Sequence, residues 1–397
     1  MLPIRLATVL IFCAILPATA QEPDTPANHS RLVLAHYMPW YVAKPHSQVW
    51  GWHWTMDHFD PESKVNGKRQ IASHFYPLIG PYDSGDPAVI EYHLLLMKLS
   101  GIDGVIVDWY GLQDFRDYAI LHRNTQQLVD QVNRLGMKFV ICYEDQTIPI
   151  MAKAGRIKDR VTHAVSEIEW LTQNWFVHDS YVQLGGRPVL LSFGQAGLTN
   201  DEWTACLGRL KSLPVYFSEH NLRTAAIGAF DWPIPGQGLN SVDRFQQTSK
   251  EWKHAIPVAF PRFVDVYAAA KLHDGYGRVE DLDGGTFRAT IEKAFATSFE
   301  LIQIATWNDW GEGTVIEPSR EYGYRDLEYL QAMRRRYIDP RFSPRPTDLR
   351  LAMRLYQQRQ RFTGPEHTRR LDRIAKLIAT SQYSKATSEL KSLSLSR

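Results

Sequence analysis

Eight short runs of strand-forming residues recur along the chain, most of them separated by amphipathic helical stretches. They are Leu32–His36, Gly104–Asp108, Lys138–Tyr143, Pro188–Phe193, Val215–Ser218, Ala229–Trp232, Pro257–Phe260 and Leu301–Thr306. Strands joined through helices pair in parallel, because only a crossover of a dozen or more residues brings the chain back to the same edge. Eight such units are what a (β/α)8 TIM barrel requires. Helix punctuation agrees. Asp86-Pro87 opens a helix that Gly101 closes, a second helix ends at Gly136, Thr199-Asn200-Asp201-Glu202 reads as a capping box, and Thr286 opens a helix through Phe299. Ser218 to Asp231 is too short for a full helix, so the sixth strand is the weakest placement. A doubly wound open sheet is the alternative, although no phosphate-cradling Gly-rich turn follows the first strand.

The ends of the chain read differently from its body. Arg5, the apolar run Ala7–Leu16 and Ala18-Thr19-Ala20 have the form of a cleavable export signal over residues 1–20, with cleavage before Gln21. The run is far shorter than the ~20 residues that span a bilayer. A secreted or periplasmic protein is expected, with no integral membrane segment once the signal is removed. Residues 21–340 are expected to form the catalytic barrel. Phe342-Ser343-Pro344-Arg345-Pro346 then reads as a linker into a helical C-terminal extension, 341–397, with helices over Thr347–Phe362 and His367–Leu390 broken at Gly364-Pro365. Residues 333–397 carry 16 Lys and Arg against 5 Asp and Glu, whereas the body is acidic; the formal net charge of the whole chain is only +2. No nucleic-acid partner is implied by that balance, and the basic tail reads as a solvated helical appendage. Cys142, in a strand, and Cys206, in a helix, read as buried apolar residues rather than a disulfide.

In a (β/α)8 barrel the site is built where the strands end. Here those ends are polar and aromatic: His36-Tyr37-Met38-Pro39-Trp40-Tyr41, Asp108-Trp109-Tyr110-Gly111, Tyr143-Glu144-Asp145-Gln146, Glu219-His220, Asp231-Trp232, then Arg262 after the seventh strand. The eighth ends Trp307-Asn308-Asp309-Trp310-Gly311-Glu312-Gly313, with Glu317-Pro318 beyond. Asp309 and Glu312 are the candidate catalytic pair. Glycoside cleavage needs one protonated and one ionised carboxyl, and two neighbouring carboxyls beside aromatic walls separate their proton affinities by repulsion and desolvation. Spacing alone also allows a plainer role: Asp309 capping the next turn and Glu312 in a surface ion pair. Trp40, Trp109, Tyr110, Trp307 and Trp310 are expected to form aromatic walls. Tyr37, Tyr41, Asp108, Tyr143, Glu144, Arg262, Asn308 and Glu317 are expected to meet sugar hydroxyls.

The segment from Trp307 to Pro318 resembles the signature of glycoside hydrolase families 71 and 99, the endo-α-mannosidase-like barrels, whose family 99 form reads Trp-Asn-Glu-Trp-His-Glu-Gly followed by Glu-Pro. The first two strand ends and Tyr143-Glu144-Asp145 are similar to that family too, and the likeness covers roughly residues 31–335. The resemblance implies an endo-acting, retaining glycosidase that works through a 1,2-anhydro sugar. It casts Asp309 as the base on the substrate's 2-hydroxyl and Glu312 as the general acid/base. Asp309 stands where family 99 has Glu, and Gly311 where it has His. The shorter Asp side chain costs about 1.5 Å of reach, which bears on α-mannoside specificity and on the anhydro-sugar route.

Residues 42–85 form a long first loop containing Trp50-Gly51-Trp52-His53-Trp54, expected to wall the cleft. His46, His53 and His58 lie in it without the paired spacing of a metal site, so no metal is expected, and no cofactor is implied. The chain lacks a Gly-x-Ser-x-Gly elbow, a phosphate loop and a Cys-x-x-Cys pair. The expected activity is hydrolysis of internal bonds in a polysaccharide or glycan by a monomeric enzyme. The alternative is a catalytically silent glycan-binding protein, or a polysaccharide-assembly partner, that kept the cleft.

Overall fold

The computed structural model describes residues 31–395; the expected export signal lies outside them. Eight parallel barrel strands are present among these residues. They are β1 (Leu32–Tyr37), β2 (Gly104–Trp109), β3 (Lys138–Tyr143), β4 (Arg187–Ser192), β5 (Val215–Glu219), β6 (Gly228–Phe230), β7 in two pieces (His254–Ile256 and Val258–Ala259), and β8 (Leu301–Ile304). They pair in chain order, and β8 pairs with β1 to close the ring. Pro257 splits β7 because it has no N–H for the ladder. The first piece pairs with β6 and the second with β8. The fold is therefore the expected barrel. No helix separates β5 from β6, in keeping with the short span read there.

Among the described residues, seven helices of eight or more residues ring the barrel: α1 (Pro87–Ser100), α2 (Tyr118–Leu135), α3 (Arg160–Asn174), α4 (Asn200–Leu207), α5 (Leu239–Ser249), α6 (Gly285–Ala296) and α7 (Arg325–Tyr337). The sequence punctuation is realised in atoms. The Asp86 side chain accepts the Ala88 N–H at 2.8 Å, Gly101 ends α1 at φ 92°, and Thr199 and Glu202 cap α4 reciprocally.

Successive strand residues face opposite sides of the wall, and this alternation decides which side chains can reach the site. Leu34, Ile106, Val140, Cys142, Leu191 and Phe217 fill the barrel interior. Val33, Ala35, Val105, Val107, Phe139 and Ile141 pack outward under the helices. Inside the barrel His36 lies 3.0 Å from Gln303 Oε1 through Nε2, and burial lowers its pKa to about 3, so it is neutral. Cys142 and Cys206 are both buried free thiols.

After α7, three further helices fold back onto the ring: α8 (Arg350–Arg361), α9 (Pro365–Ala379) and α10 (Tyr383–Leu395). Their seat is α1. Tyr356 packs on Tyr92 at 5.4 Å, and the buried Glu91 receives Arg359 at 2.8 Å and Arg134 at 2.6 Å. No helix among the described residues is long and apolar enough to cross a membrane.

Candidate functional site

The chain beyond β8 folds into a tight turn stitched to its neighbours. Trp307 N–H donates to His36 O, Trp310 N–H to the Tyr41 hydroxyl, and Val264 and Val266 N–H to the carbonyls of Glu312 and Gly311. The turn is thus fastened to the segments that follow β1 and β7. Gly313 is required in it: its φ is +69°, and a Cβ there would lie 2.7 Å from Val264 O.

This turn presents Asp309 and Glu312. Asp309 is 5% exposed; its Oδ1 accepts the Glu312 N–H at 3.0 Å and its own N–H donates to Thr306 Oγ1 at 2.8 Å. The plainer reading of Asp309 is thus half true: it braces the turn. It is also desolvated, and that raises its pKa to about 6 against the opposing pull of the Glu312 and Gly311 N–H groups. Glu312 is half-buried and pairs with no cation among the described residues. Its pKa is pushed well above the usual carboxylate range, first by desolvation, then by Asp309, Asp265, Glu219 and Asp108. One turn therefore holds two neighbouring carboxyls, both held above the usual carboxylate range.

The interior-facing ends of β2, β3 and β5 add Asp108, Glu144 and Glu219. Desolvation raises all three, with Asp309 adding to Asp108 and Asp108 to Glu144. Oδ1 of Asp108 is buried with no hydrogen-bond partner among the described residues.

A cavity of about 850 Å³ opens beside these groups, lined by Trp52, His53, Tyr110, Asp117, Glu144, Gln146, Tyr267 and Tyr276 among others. Tyr267 connects it to the turn: its phenol pKa is raised by desolvation, then by Glu312 and Asp309. The first loop supplies one wall. His53 stacks on Trp40 at 4.3 Å and pairs with Asp117 at 3.2 Å, while Trp52 is 41% exposed at the rim. Trp54 serves the loop itself; it is fully buried against Tyr41, with its Nε1 donating to Tyr82 O at 2.8 Å.

Of the residues expected at the site, the structure brings Asp309, Glu312, Asp108, Glu144, Trp40, Tyr41 and Tyr110 to the mouth of the barrel. The others face elsewhere. Tyr37, Trp109, Tyr143 and Trp307 occupy the layer under the helices. Tyr37 OH meets His93 Nδ1 at 3.0 Å, Trp109 donates to His122 at 3.2 Å beside Trp170 and Trp175, and Tyr143 OH bonds Glu167. Arg262 is buried in an ion-pair network with Asp281 and Asp326, under Tyr322 at 3.8 Å. Asn308 clamps the main chain of Met38 through both side-chain heteroatoms, 2.8 and 3.0 Å. Trp310 is fully buried and donates to the Tyr82 hydroxyl, and Glu317 accepts from that same hydroxyl. These eight support the site rather than line it. Glu219 and His53 stand where the sequence placed a strand end and the first-loop wall, whereas Asp265 and Tyr267 carry no sequence signal that marks them.

An acidic, aromatic-walled cleft over the C-terminal mouth of a parallel barrel lies where barrel enzymes build their sites. Known proteins narrow this. The model of the family described as glycosyl hydrolase family 99 matches residues 29–221. The glycoprotein endo-alpha-1,2-mannosidase of Xenopus laevis is 22% identical over 330 residues, covering 75% of this chain and 71% of the relative; that of Mus musculus is 24% identical over 363 residues, covering 79% and 75%. The solved structure of the GH99 endo-alpha-mannosidase from Bacteroides thetaiotaomicron has the same fold, with a TM-score of 0.59 at 18% identity over 82% of this chain and 99% of that one. The chain is thus similar to the family 99 glycoside hydrolases, in sequence and in fold.

Proposed function

We propose that the chain is an exported, endo-acting, retaining glycosidase of α-mannosides, with Asp309 and Glu312 as its catalytic pair. The observation that carries the reading is the pairing within one turn of Asp309, tied by backbone N–H and raised to about 6, with Glu312, pushed well above the usual carboxylate range by desolvation and a ring of acids. In this reading Asp309 works as the carboxylate, and Glu312, held well above the usual carboxylate range, works as the acid. The Asp309 carboxylate removes the proton of the sugar's 2-hydroxyl as that oxygen attacks the anomeric carbon. Glu312 gives its proton to the departing glycosidic oxygen, leaving a 1,2-anhydro sugar. The Glu312 carboxylate then takes a proton from water, whose oxygen attacks the anomeric carbon. The epoxide opens, and the 2-oxygen recovers its proton from Asp309.

The departure at Gly311 fits a local rearrangement. A Cβ there would meet Met56 Cε at 3.0 Å, with Asp309 Oδ1 at 3.5 Å, so Met56 occupies space beside the shortened carboxylate. The names of the relatives support an α-1,2-mannoside, and the open aromatic cleft suits a sugar chain running through it.

The test is incubation of residues 21–397 and of Glu312→Gln with α-1,2-linked manno-oligosaccharides, α-mannan and a panel of other polysaccharides. Products are followed by mass spectrometry, and their first-formed anomer by proton NMR. Release of α-configured oligosaccharides by the wild type, reduced more than about a hundredfold in the variant, is expected. Equal glycan binding by both proteins without product would replace this reading with the silent glycan-binding one.

A further inference from the structure

We propose that Tyr82 is a positioning residue of the catalytic turn: its phenol oxygen joins the side chains of both neighbours of Asp309 and supplements the main-chain bonds that fasten the turn. The inference rests on the reading of Asp309 and Glu312 given above and adds a residue to it. Tyr82 belongs to the last stretch of the long first loop, more than 200 positions from the turn in sequence. Its hydroxyl accepts Asn308 Nδ2–H at 3.2 Å and Trp310 Nε1–H at 3.2 Å, and donates to Glu317 Oε2 at 2.7 Å. A phenol has one proton to give and two lone pairs to offer, so this oxygen is fully used by three residues of one turn. Two of them flank Asp309 in sequence, and the third lies where the chain leaves the turn.

Both ends of Tyr82 are held. Its carbonyl receives Trp54 Nε1–H, and its ring packs on Tyr41 at 5.7 Å and His93 at 4.9 Å. Glu317 is backed in turn by His93 of α1, whose Nε2 lies 3.1 Å from Oε1, with both side chains fully buried. The chain of contacts runs from a ring helix, through a carboxylate and a phenol, to the two side chains on either side of the base. The tethers of Asp309 itself, to Thr306 and Glu312, lie within the turn and cannot fix where the turn stands relative to the cleft. A displacement of ~1 Å at a reacting group can cost about a hundredfold in rate, so a hydroxyl that shares in this placement acts on turnover without touching substrate.

The test compares wild type, Tyr82→Phe and Tyr181→Phe. The last removes an equally buried phenol, which bonds Val189 O and Ile141 N–H far from the turn. Both variants should unfold more easily than wild type. Only Y82F should lower kcat, by about 10- to 100-fold with KM within twofold, shift the ascending limb of the pH profile, and speed hydrogen exchange in peptides spanning residues 308–313. Glu317→Gln keeps an acceptor for Tyr82 and should show the same changes in smaller degree; it stands in if Y82F does not fold. Unchanged kcat and unchanged exchange across 308–313 in the folded variant would overturn the proposal. A wild type that cleaves no glycan would instead sink the Asp309–Glu312 reading, and the exchange rates would still decide the role of Tyr82.

Discussion

Replacing Asp309 by Asn should make this protein more stable, and the gain should depend on pH. Asn keeps a carbonyl oxygen where Asp309 Oδ1 accepts the Glu312 N–H, so the turn retains its brace. What is lost is a desolvated charge. The carboxyl ionises near 3.8 in the unfolded chain and at about 6 in the folded one. The folded state therefore binds the proton more tightly, and stability falls as pH rises from about 4 to about 6. At ~1.36 kcal/mol per pKa unit the full penalty is about 3 kcal/mol at pH 7.5 and about 1 kcal/mol at pH 4.5. Taking about 2 °C per kcal/mol for a large domain, calorimetry should find the variant melting about 6 °C above wild type at pH 7.5 and about 2 °C above it at pH 4.5. Relief of Glu312 from a like-charged neighbour acts in the same direction. A destabilised variant, or an equal gain at both pH values, would refute the claim that Asp309 is held ionised against its surroundings. Turnover should vanish while stability rises, the trade-off expected of a site kept under electrostatic stress.

The rate of the wild-type enzyme should follow a bell in pH, rising through about 6 as Asp309 ionises and falling as pH passes the raised pKa of Glu312; initial rates across pH 4–9 check this. Asp309→Glu, which restores the family 99 residue, should lower kcat about a hundredfold, because the added methylene overshoots by ~1.5 Å in a turn packed around Asp and Met56; steady-state kinetics decide it. Trp109→Ala should cost about 3–5 kcal/mol of stability through the cavity left among Trp170, Trp175 and His122, yet leave KM unchanged in the folded fraction; denaturation paired with kinetics would separate the two effects.

Trp109 marks the boundary of what is legible in the sequence. All eight strands were legible, because alternating apolar runs and helix caps are local signals. That Asp309 and Glu312 share one turn was legible too, because both sit in one short segment. Tyr37, Trp109 and Tyr143 were assigned to the cleft although each follows an interior-facing position by one residue. Strict use of the two-residue period would have sent them outward: Asp108 and Glu144 face in, so Trp109 and Tyr143 face out. Arg262, Asn308 and Glu317 were beyond such reasoning. Their partners, Asp281 and Asp326, Met38, and Tyr82, lie at distances along the chain that only the folded barrel brings together. Tyr267 and Asp265 sit on a loop with no periodicity, and nothing local marked them.

The closing pair of the barrel carries a consequence for how the chain is made. Leu32 of β1 aligns with Leu301 of β8, so one edge of the first strand has no mate until the last strand has been synthesised. At ~5–20 residues per second that edge stays bare for about 15–50 seconds behind the ribosome. An unmated strand edge invites pairing with another chain. The nascent protein therefore spends most of its synthesis as an open sheet, and its exposure to wrong partners ends only when residue 304 arrives.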